Sequence, residues 1–208
     1  MNIANTFWVT GTPRTGSMWT ANIVREILKS NGFNIEPKEQ YQSDTQFIDL
    51  FKSKAINDEN PLNKYVFKVH TLLNTNIPKS KYIINIRNPY EICASFYKFM
   101  KCSFDQALEV ADQHLSVINH YSNINKVDLI FIRYENISLD PLSVINALSD
   151  FIAIELKLDQ LELIKDQYSK KEIKSLIKKN DIKLMNKIEN NDKIINEEIV
   201  LLSKKNYR

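Results

Sequence analysis

Glycine is scarce in this chain of 208 residues: there are three glycines, and none follows Gly32. The two cysteines, Cys93 and Cys102, are too few for a disulfide framework or a cysteine metal site, which indicates a reducing compartment. No stretch approaches the roughly 20 consecutive apolar residues that cross a bilayer, and the first residues lack the pattern of a signal peptide. The sequence therefore predicts a cytoplasmic protein without a transmembrane segment.

A strong charge of either sign is also missing. Lys and Arg total 28 against 25 Asp and Glu, and the formal net charge of +3 is too small to indicate binding to nucleic acid. The hydrophobic fraction of 43% and the charged fraction of 25% are those of an ordinary folded protein, and the length suits one domain. Arginine is rare beside lysine, so a position that keeps Arg is a candidate for planar, bidentate contacts.

Short β-rich runs alternate along the chain with segments of helical periodicity. The expected strands are residues 7–10, 64–70, 81–87 and 127–133, and the expected helices are 18–30, 45–54, 88–100, 104–121 and 140–152. This alternation predicts an α/β fold, a three-layer sandwich with a central, mainly parallel β-sheet flanked by helices, and ligands at the carboxyl ends of the strands. We expect one domain over residues 1–208, with an α/β core at 7–152 and a helical C-terminal region at 157–208.

A glycine-containing loop joins the first strand to the first helix. Residues 11–17 read Gly-Thr-Pro-Arg-Thr-Gly-Ser, and the unpaired N–H groups of the following helix N-terminus favour an anion. The loop therefore predicts a phosphate site. A nucleoside-triphosphate loop would place Lys and Ser or Thr after the second glycine, whereas Ser17 and Met18 stand here. No expected strand ends in an aspartate suited to magnesium, so a metal-dependent nucleotide hydrolase is disfavoured.

Four segments, in this order along the chain, resemble the motifs of sulfotransferases that use 3'-phosphoadenosine 5'-phosphosulfate (PAPS). They are Thr-Pro-Arg-Thr-Gly-Ser-Met-Trp at 12–19, Lys-Val-His at 68–70, Arg-Asn-Pro-Tyr-Glu-Ile-Cys-Ala-Ser-Phe-Tyr at 87–97, and Arg-Tyr-Glu-Asn at 133–136. One such motif is weak, but four in the family's order are specific. The resemblance covers residues 7 to about 152 and implies a P-loop-like fold with PAPS as donor and 3'-phosphoadenosine 5'-phosphate (PAP) as product, without a metal.

The resemblance also implies roles for individual residues. Lys68 and His70, two apart on a strand, share one face, and His70 would act as general base while Lys68 and Arg14 stabilise the leaving phosphate. Arg14 would also hold the 5'-phosphate. Arg87 and Ser95 would bind the 3'-phosphate, and aromatic side chains would pack on the adenine. The expected cofactor-binding residues are Arg14, Thr15, Gly16, Ser17, Met18, Trp19, Arg87, Ser95 and Tyr134.

The sequence departs from the family in one large respect. Familiar members carry a late Arg-Lys-Gly segment that adds contacts to the 3'-phosphate, and no glycine follows Gly32 here. Two other functions stay open: the glycine loop alone would also suit a P-loop nucleotide-dependent kinase, and a shortened C-terminal region would suit a non-catalytic nucleotide-binding protein of the same fold. The acceptor is expected to be a small molecule or a carbohydrate, and a homo-oligomer is left open. His114 and His120 match no motif and are expected to be ordinary helix residues.

Overall fold

A computed structural model describes residues 4–38, 43–73, 79–123, 128–169, 171, 172 and 175. The chain divides into two compact units, residues 1–161 and 162–208. The strands are β1 (Thr6–Thr10), β2 (Asn34–Glu36), β3 (Asn63–Val69), β4 (Ser80–Ile86) and β5 (Leu129–Arg133). The α-helices are α1 (Ser17–Ser30), α2 (Asp44–Ser53), α3 (Pro89–Met100), α4 (Phe104–Tyr121), α5 (Tyr134–Leu139), α6 (Pro141–Ile152) and α7 (Leu158–Gln167).

The five strands form one sheet in the order β2-β3-β1-β4-β5, and every neighbouring pair is parallel. This arrangement, with helices flanking the sheet, confirms the α/β fold expected from the alternating pattern. The four expected strands and five expected helices lie within about two residues of their expected bounds. The sequence missed β2 and α5, because elements of three and six residues are too short to show a periodic pattern.

Both faces of the sheet are covered. All five residues of β1 are buried, which is typical of a central parallel strand. On one face, Trp8, Phe67 and Tyr82 pack with the buried side chains of α2 and α4. On the other face, α1 packs against β1 and β3 and contacts α6. The buried stripe of α1 consists of Ile23, Val24, Ile27 and Leu28.

The helix starts follow the capping signals of the sequence. The Asn88 side chain accepts a hydrogen bond from the N–H of Tyr90 and is followed by a proline at the first helical position of α3. The Asp140 side chain caps α6 through the N–H of Ser143 in the same way. Because α3 and α5 each begin directly after a strand, these helix starts lie at the carboxyl edge of the sheet.

The C-terminal region contains α7. The further helices expected in the tail fall beyond Ser169, on residues that lie outside the described ones apart from 171, 172 and 175. Within the described part of the chain, no helix combines the length and the apolar character of a membrane span.

The strand order creates a crevice at one edge of the sheet. From β1 the chain passes to the edge strand β2 and returns to β3, which lies next to β1. It then crosses to β4 on the other side of β1 and continues to the opposite edge strand, β5. In open parallel sheets, ligands bind outside the carboxyl ends of the strands where the order reverses in this way. The candidate site is therefore expected beside the ends of β1, β3 and β4, where the sequence motifs lie.

Candidate active site

The loop at residues 11–16 leads from β1 into the N-terminus of α1. Gly16 is the N-cap residue of α1 with a left-handed backbone (φ 87°), and no side chain caps this helix end. The Thr15 hydroxyl donates to the carbonyl of Thr12 at 2.8 Å, and both residues are buried. The loop thus holds its shape through an internal bond, and the first N–H groups of α1 remain available to an anion.

Both loop glycines lie against other parts of the chain. A Cβ on Gly11 would lie 2.7 Å from the carbonyl oxygen of Asn85, and a Cβ on Gly16 would lie 3.0 Å from the ring of Tyr134. Gly11 therefore allows β1 and β4 to approach at the mouth of the crevice. Gly16 allows the loop to approach the segment that follows β5.

We expect Gly11→Ala to lower the free energy of unfolding by about 1–3 kcal/mol more than Gly32→Ala, as measured by urea denaturation. Both glycines have positive φ, +149° and +82°, but a Cβ on Gly32 would meet nothing within 4 Å. The comparison therefore isolates the contact with the Asn85 backbone. Equal losses of unfolding free energy in the two variants would show that the contact with the Asn85 backbone adds nothing to the effect of Gly11→Ala.

Lys68 and His70 lie together at the end of β3. The Lys68 Nζ is 2.5 Å from His70 Nε2, and His70 Nδ1 is 2.5 Å from the carbonyl oxygen of Gly11. A carbonyl can only accept, so Nδ1 carries the proton and Nε2 accepts from the ammonium of Lys68. His70 is therefore held in one tautomer, beside the loop at residues 11–16, with its basic nitrogen directed toward a cation.

Burial and charge both favour the neutral imidazole. Burial lowers the pKa of His70, and the nearby charge of Lys68 lowers it further. Burial also lowers the pKa of Lys68, against a smaller opposing effect of Asp44. At neutral pH His70 is thus uncharged, which is the form that a general base requires.

Asp44, the first residue of α2, braces the segment that carries His70. Its Oδ2 accepts from the N–H of His70, the N–H of Thr71 and the hydroxyl of Thr71, each at 2.7 Å. Burial raises the pKa of Asp44, but these hydrogen bonds outweigh it, so the pKa lies below its ordinary value. Sequence reasoning found no chemistry in this region; the only local signal was the Ser43 capping box that starts α2.

The second group of predicted residues surrounds Arg14. Its Nε donates to the Ser95 hydroxyl at 3.0 Å, and its guanidinium lies 4.3 Å from the ring centroid of Phe99, so the side chain reaches from the loop to α3. The Nη1 of Arg87 donates to the carbonyl of Arg14 at 3.0 Å. The guanidinium of Arg87 lies over the ring of Tyr134 at 3.9 Å. The structure therefore brings these four predicted residues together.

This cluster fits an anionic ligand. Burial lowers the pKa of Arg14, and Arg87 contributes in the same direction, because two guanidinium groups share the crevice. The carboxylate of Glu91 pairs with Arg87 at 3.1 Å. A phosphate group between the arginines would relieve their repulsion and match the paired donors of each guanidinium.

The remaining predicted residues lie in the first turn of α1. Ser17 is buried, and Trp19 is half-buried. Met18 lines a small crevice between α1 and β3 together with Ala21, Phe47, Val66 and Lys68. Met18 and Lys68 thus border the same crevice. One face of Tyr134, the other aromatic residue expected beside the adenine, is covered by Arg87.

Two further residues connect the predicted motifs. His114 on α4 is fully buried and contacts both the Thr12 side chain and the Arg87 backbone N–H. Burial lowers the pKa of His114. The Glu135 carboxylate accepts from the N–H of Asn88. Sequence reasoning treated His114 as an ordinary helix residue, although a histidine within an otherwise apolar helical stripe is a signal that could have identified it.

Comparison with known proteins gives one family. The model of the family described as Sulfotransferase domain matches residues 4–206. No curated protein sequence matches the chain. Within the part of the chain that the structure describes, no group of three or more His, Cys, Asp or Glu side chains could hold a metal ion.

Solved structures with the same fold include mouse sulfotransferase SULT7A1 complexed with PAP, at 18% sequence identity and a TM-score of 0.61. A retinol dehydratase in complex with androsterone and inactive cofactor PAP is 15% identical, with a TM-score of 0.55. The alignments cover 83% and 82% of this chain. The chain spans 66% of the length of each of these proteins.

Proposed function

Because the chain belongs to the sulfotransferase domain family, as its motifs predicted, we propose that it transfers a sulfuryl group from PAPS to a hydroxyl or amine of an acceptor. The observation that carries this proposal is the contact of His70 with both Lys68 and the Gly11 carbonyl, which places a base and a cation beside the phosphate loop. Solved structures of the same fold contain PAP, which supports PAPS as the donor in this proposal.

The two arginines are proposed to hold the two anionic ends of the nucleotide. Arg14 and the N–H groups of the loop would bind the 5'-phosphate, helped by Thr15, Gly16 and Ser17. Arg87 and Ser95 would bind the 3'-phosphate. Arg14 Nε donates to Ser95 at 3.0 Å, so the side chains proposed for the two phosphates lie beside one another. Met18, Trp19 and Tyr134 are proposed to line the nucleotide.

Proton transfer is assigned to His70. When bound, PAPS supplies an activated sulfuryl group, which the acceptor takes up as the bond to the 5'-phosphate breaks. The Nε2 of His70 would accept the acceptor's proton while Nδ1 stays bonded to Gly11. Lys68 must first release Nε2, and its ammonium is then free to stabilise charge on the leaving phosphate.

The site sets conditions on the acceptor. Its nucleophilic atom must reach His70 Nε2, the nitrogen that Lys68 contacts, and Lys68 also lines the small crevice between α1 and β3. We propose a small molecule or a carbohydrate as acceptor. The α/β core at residues 7–152 carries every residue to which the proposal assigns a role.

Calorimetry with PAP tests the donor. We expect saturable binding that is equally tight in magnesium and in EDTA, because two arginines, a lysine and the helix N-terminus neutralise the phosphates. Absence of binding at millimolar PAP would contradict the proposal. Magnesium-dependent hydrolysis of ATP would favour a kinase instead.

A transfer assay tests the chemistry. PAPS labelled with radioactive sulfur is incubated with the protein and a panel of phenols, alcohols, amines and sugars, and products are separated from the donor. Labelled product that depends on the protein supports an enzyme. PAP binding without labelled product from any acceptor class would favour the non-catalytic nucleotide-binding protein.

A further inference from the structure

His114 occupies an unusual place on α4. The buried residues of this helix are Ala107, Ala111, His114, Val117 and Tyr121, a stripe at helical spacing that faces the interior. His114 has no solvent exposure, and it is the one basic residue of the stripe. A buried imidazole is retained at low cost only when both ring nitrogens have partners.

Both ring nitrogens of His114 do have partners. The Nε2 lies 3.1 Å from the backbone nitrogen of Arg87, and because an amide can only donate, Nε2 is the acceptor. The Nδ1 lies 3.0 Å from the hydroxyl of Thr12. The neutral ring therefore carries its proton on Nδ1 and donates to Thr12. One side chain is thereby bonded to two different segments at the mouth of the crevice.

These two segments belong to opposite ends of the proposed nucleotide site. Thr12 is part of the loop assigned to the 5'-phosphate, and its carbonyl accepts the hydroxyl of Thr15. Arg87 is assigned to the 3'-phosphate, and its Nη1 donates to the carbonyl of Arg14. Hydrogen bonds thus join Thr12 to His114, His114 to Arg87, and Arg87 to Arg14, and the backbone between Thr12 and Arg14 completes the ring. Of these residues, His114 alone lies outside both proposed phosphate-binding segments.

We propose that His114 is a positioning residue that fixes the separation between the 5'-phosphate loop and the 3'-phosphate arginine. The inference rests on the proposed function. A ligand that contacts both ends gains from their correct spacing, because its second phosphate binds in an intramolecular step. A ligand with one phosphate does not require that spacing. His114 therefore determines the preference of the site for a bisphosphate over a monophosphate.

Two substitutions break one bond each. In His114→Asn, the amide nitrogen can replace Nδ1 as donor to Thr12, while the acceptor for the Arg87 N–H is lost. In His114→Gln, the amide oxygen can replace Nε2 as acceptor, while the donor to Thr12 is lost. The matched control is His120→Gln on the same helix, where the exposed His120 bonds the carbonyl of Leu73 and neither phosphate segment.

The experiment measures the affinity of each variant for PAP, adenosine 5'-monophosphate and adenosine 3'-monophosphate. We expect both His114 variants to lose about tenfold or more in PAP affinity, with less than threefold change for either monophosphate, and His120→Gln to match the unchanged protein. A uniform loss for all three ligands would mean that His114 serves only to stabilise the fold, and unchanged PAP affinity would also overturn the inference. If the unchanged protein binds no PAP, the proposed function itself fails.

Thr12→Val provides a second route that leaves the histidine in place. It removes the hydroxyl partner of Nδ1 while keeping the shape of the side chain. We expect the same selective loss of PAP affinity. The double variant Thr12→Val with His114→Gln should lose no more PAP affinity than either single variant, because both changes remove the same hydrogen bond, the one between His114 Nδ1 and the Thr12 hydroxyl. Additive losses, or a Thr12→Val protein with full PAP preference, would contradict the proposal even if the His114 variants did not fold.

Discussion

His70→Asn is expected to lower the rate of sulfuryl transfer by about 10²–10⁴-fold while PAP affinity changes less than threefold. Asparagine can still donate to the carbonyl of Gly11, as His70 Nδ1 does at 2.5 Å, but it offers no basic nitrogen to the acceptor. The loop geometry is thus preserved and the proton acceptor is removed. The measurement pairs a transfer assay under saturating PAPS with calorimetry for PAP.

Two controls define this result. His70→Ala removes the bond to Gly11 as well, so any additional loss of PAP affinity reports the contribution of that bond to loop position. His120→Ala changes a histidine outside the proposed site and is expected to keep full activity. A His70→Asn protein that transfers sulfuryl groups within threefold of the unchanged rate would remove His70 from the role of base.

Lys68→Met is expected to lower turnover by about 10²–10³-fold, because it removes a preorganised cation from the leaving phosphate. It also changes the base. The charge of Lys68 helps to lower the pKa of His70, so its removal raises that pKa toward the ordinary histidine value of about 6.5. The proposed mechanism uses neutral His70 as the base, so the acid limb of the pH–rate profile should move to higher pH in the variant.

The same strand offers the control. Lys64 is buried near the other end of β3, where its Nζ bonds Asn5 and burial lowers its pKa. Lys64→Met has a comparable effect on packing but acts far from His70, so the acid limb should keep its position. A Lys68→Met protein with an unmoved acid limb would show that His70 does not control the rate at acidic pH.

The fold was accessible from the sequence because its signals are local. Strands such as 81–87 are short apolar runs, and α3 begins with an asparagine cap and a proline, so each element can be recognised within about ten residues. The motif residues could be found for the same reason. Lys68, Arg87 and Tyr134 stand at strand ends, Arg14 lies in the loop that follows β1, and parallel strands bring all such ends to one edge.

The connections between these motifs were not accessible, because they depend on residues far apart in sequence. Asp44 supports His70 across 26 residues, and His114 bonds Thr12 across 102. Each residue sits inside a helix whose local pattern is explained by capping or by an apolar stripe, so nothing nearby reveals its distant partner. The covering of Tyr134 by Arg87 is likewise a product of packing between β4 and β5.

The amino-acid sequence by itself determined the α/β class, the family and the side chains that carry charge and basicity to one edge of the sheet, since all of these depend on local pattern and residue type. The tertiary structure alone decided which atoms meet: the tautomer of His70, the contact between Arg14 and Ser95, and the hydrogen bonds from His114 to Thr12 and Arg87. The physical reason is that a hydrogen bond depends on distances of a few tenths of an ångström, and those distances are set by how the loop after β1, α3 and α4 pack at the edge of the sheet.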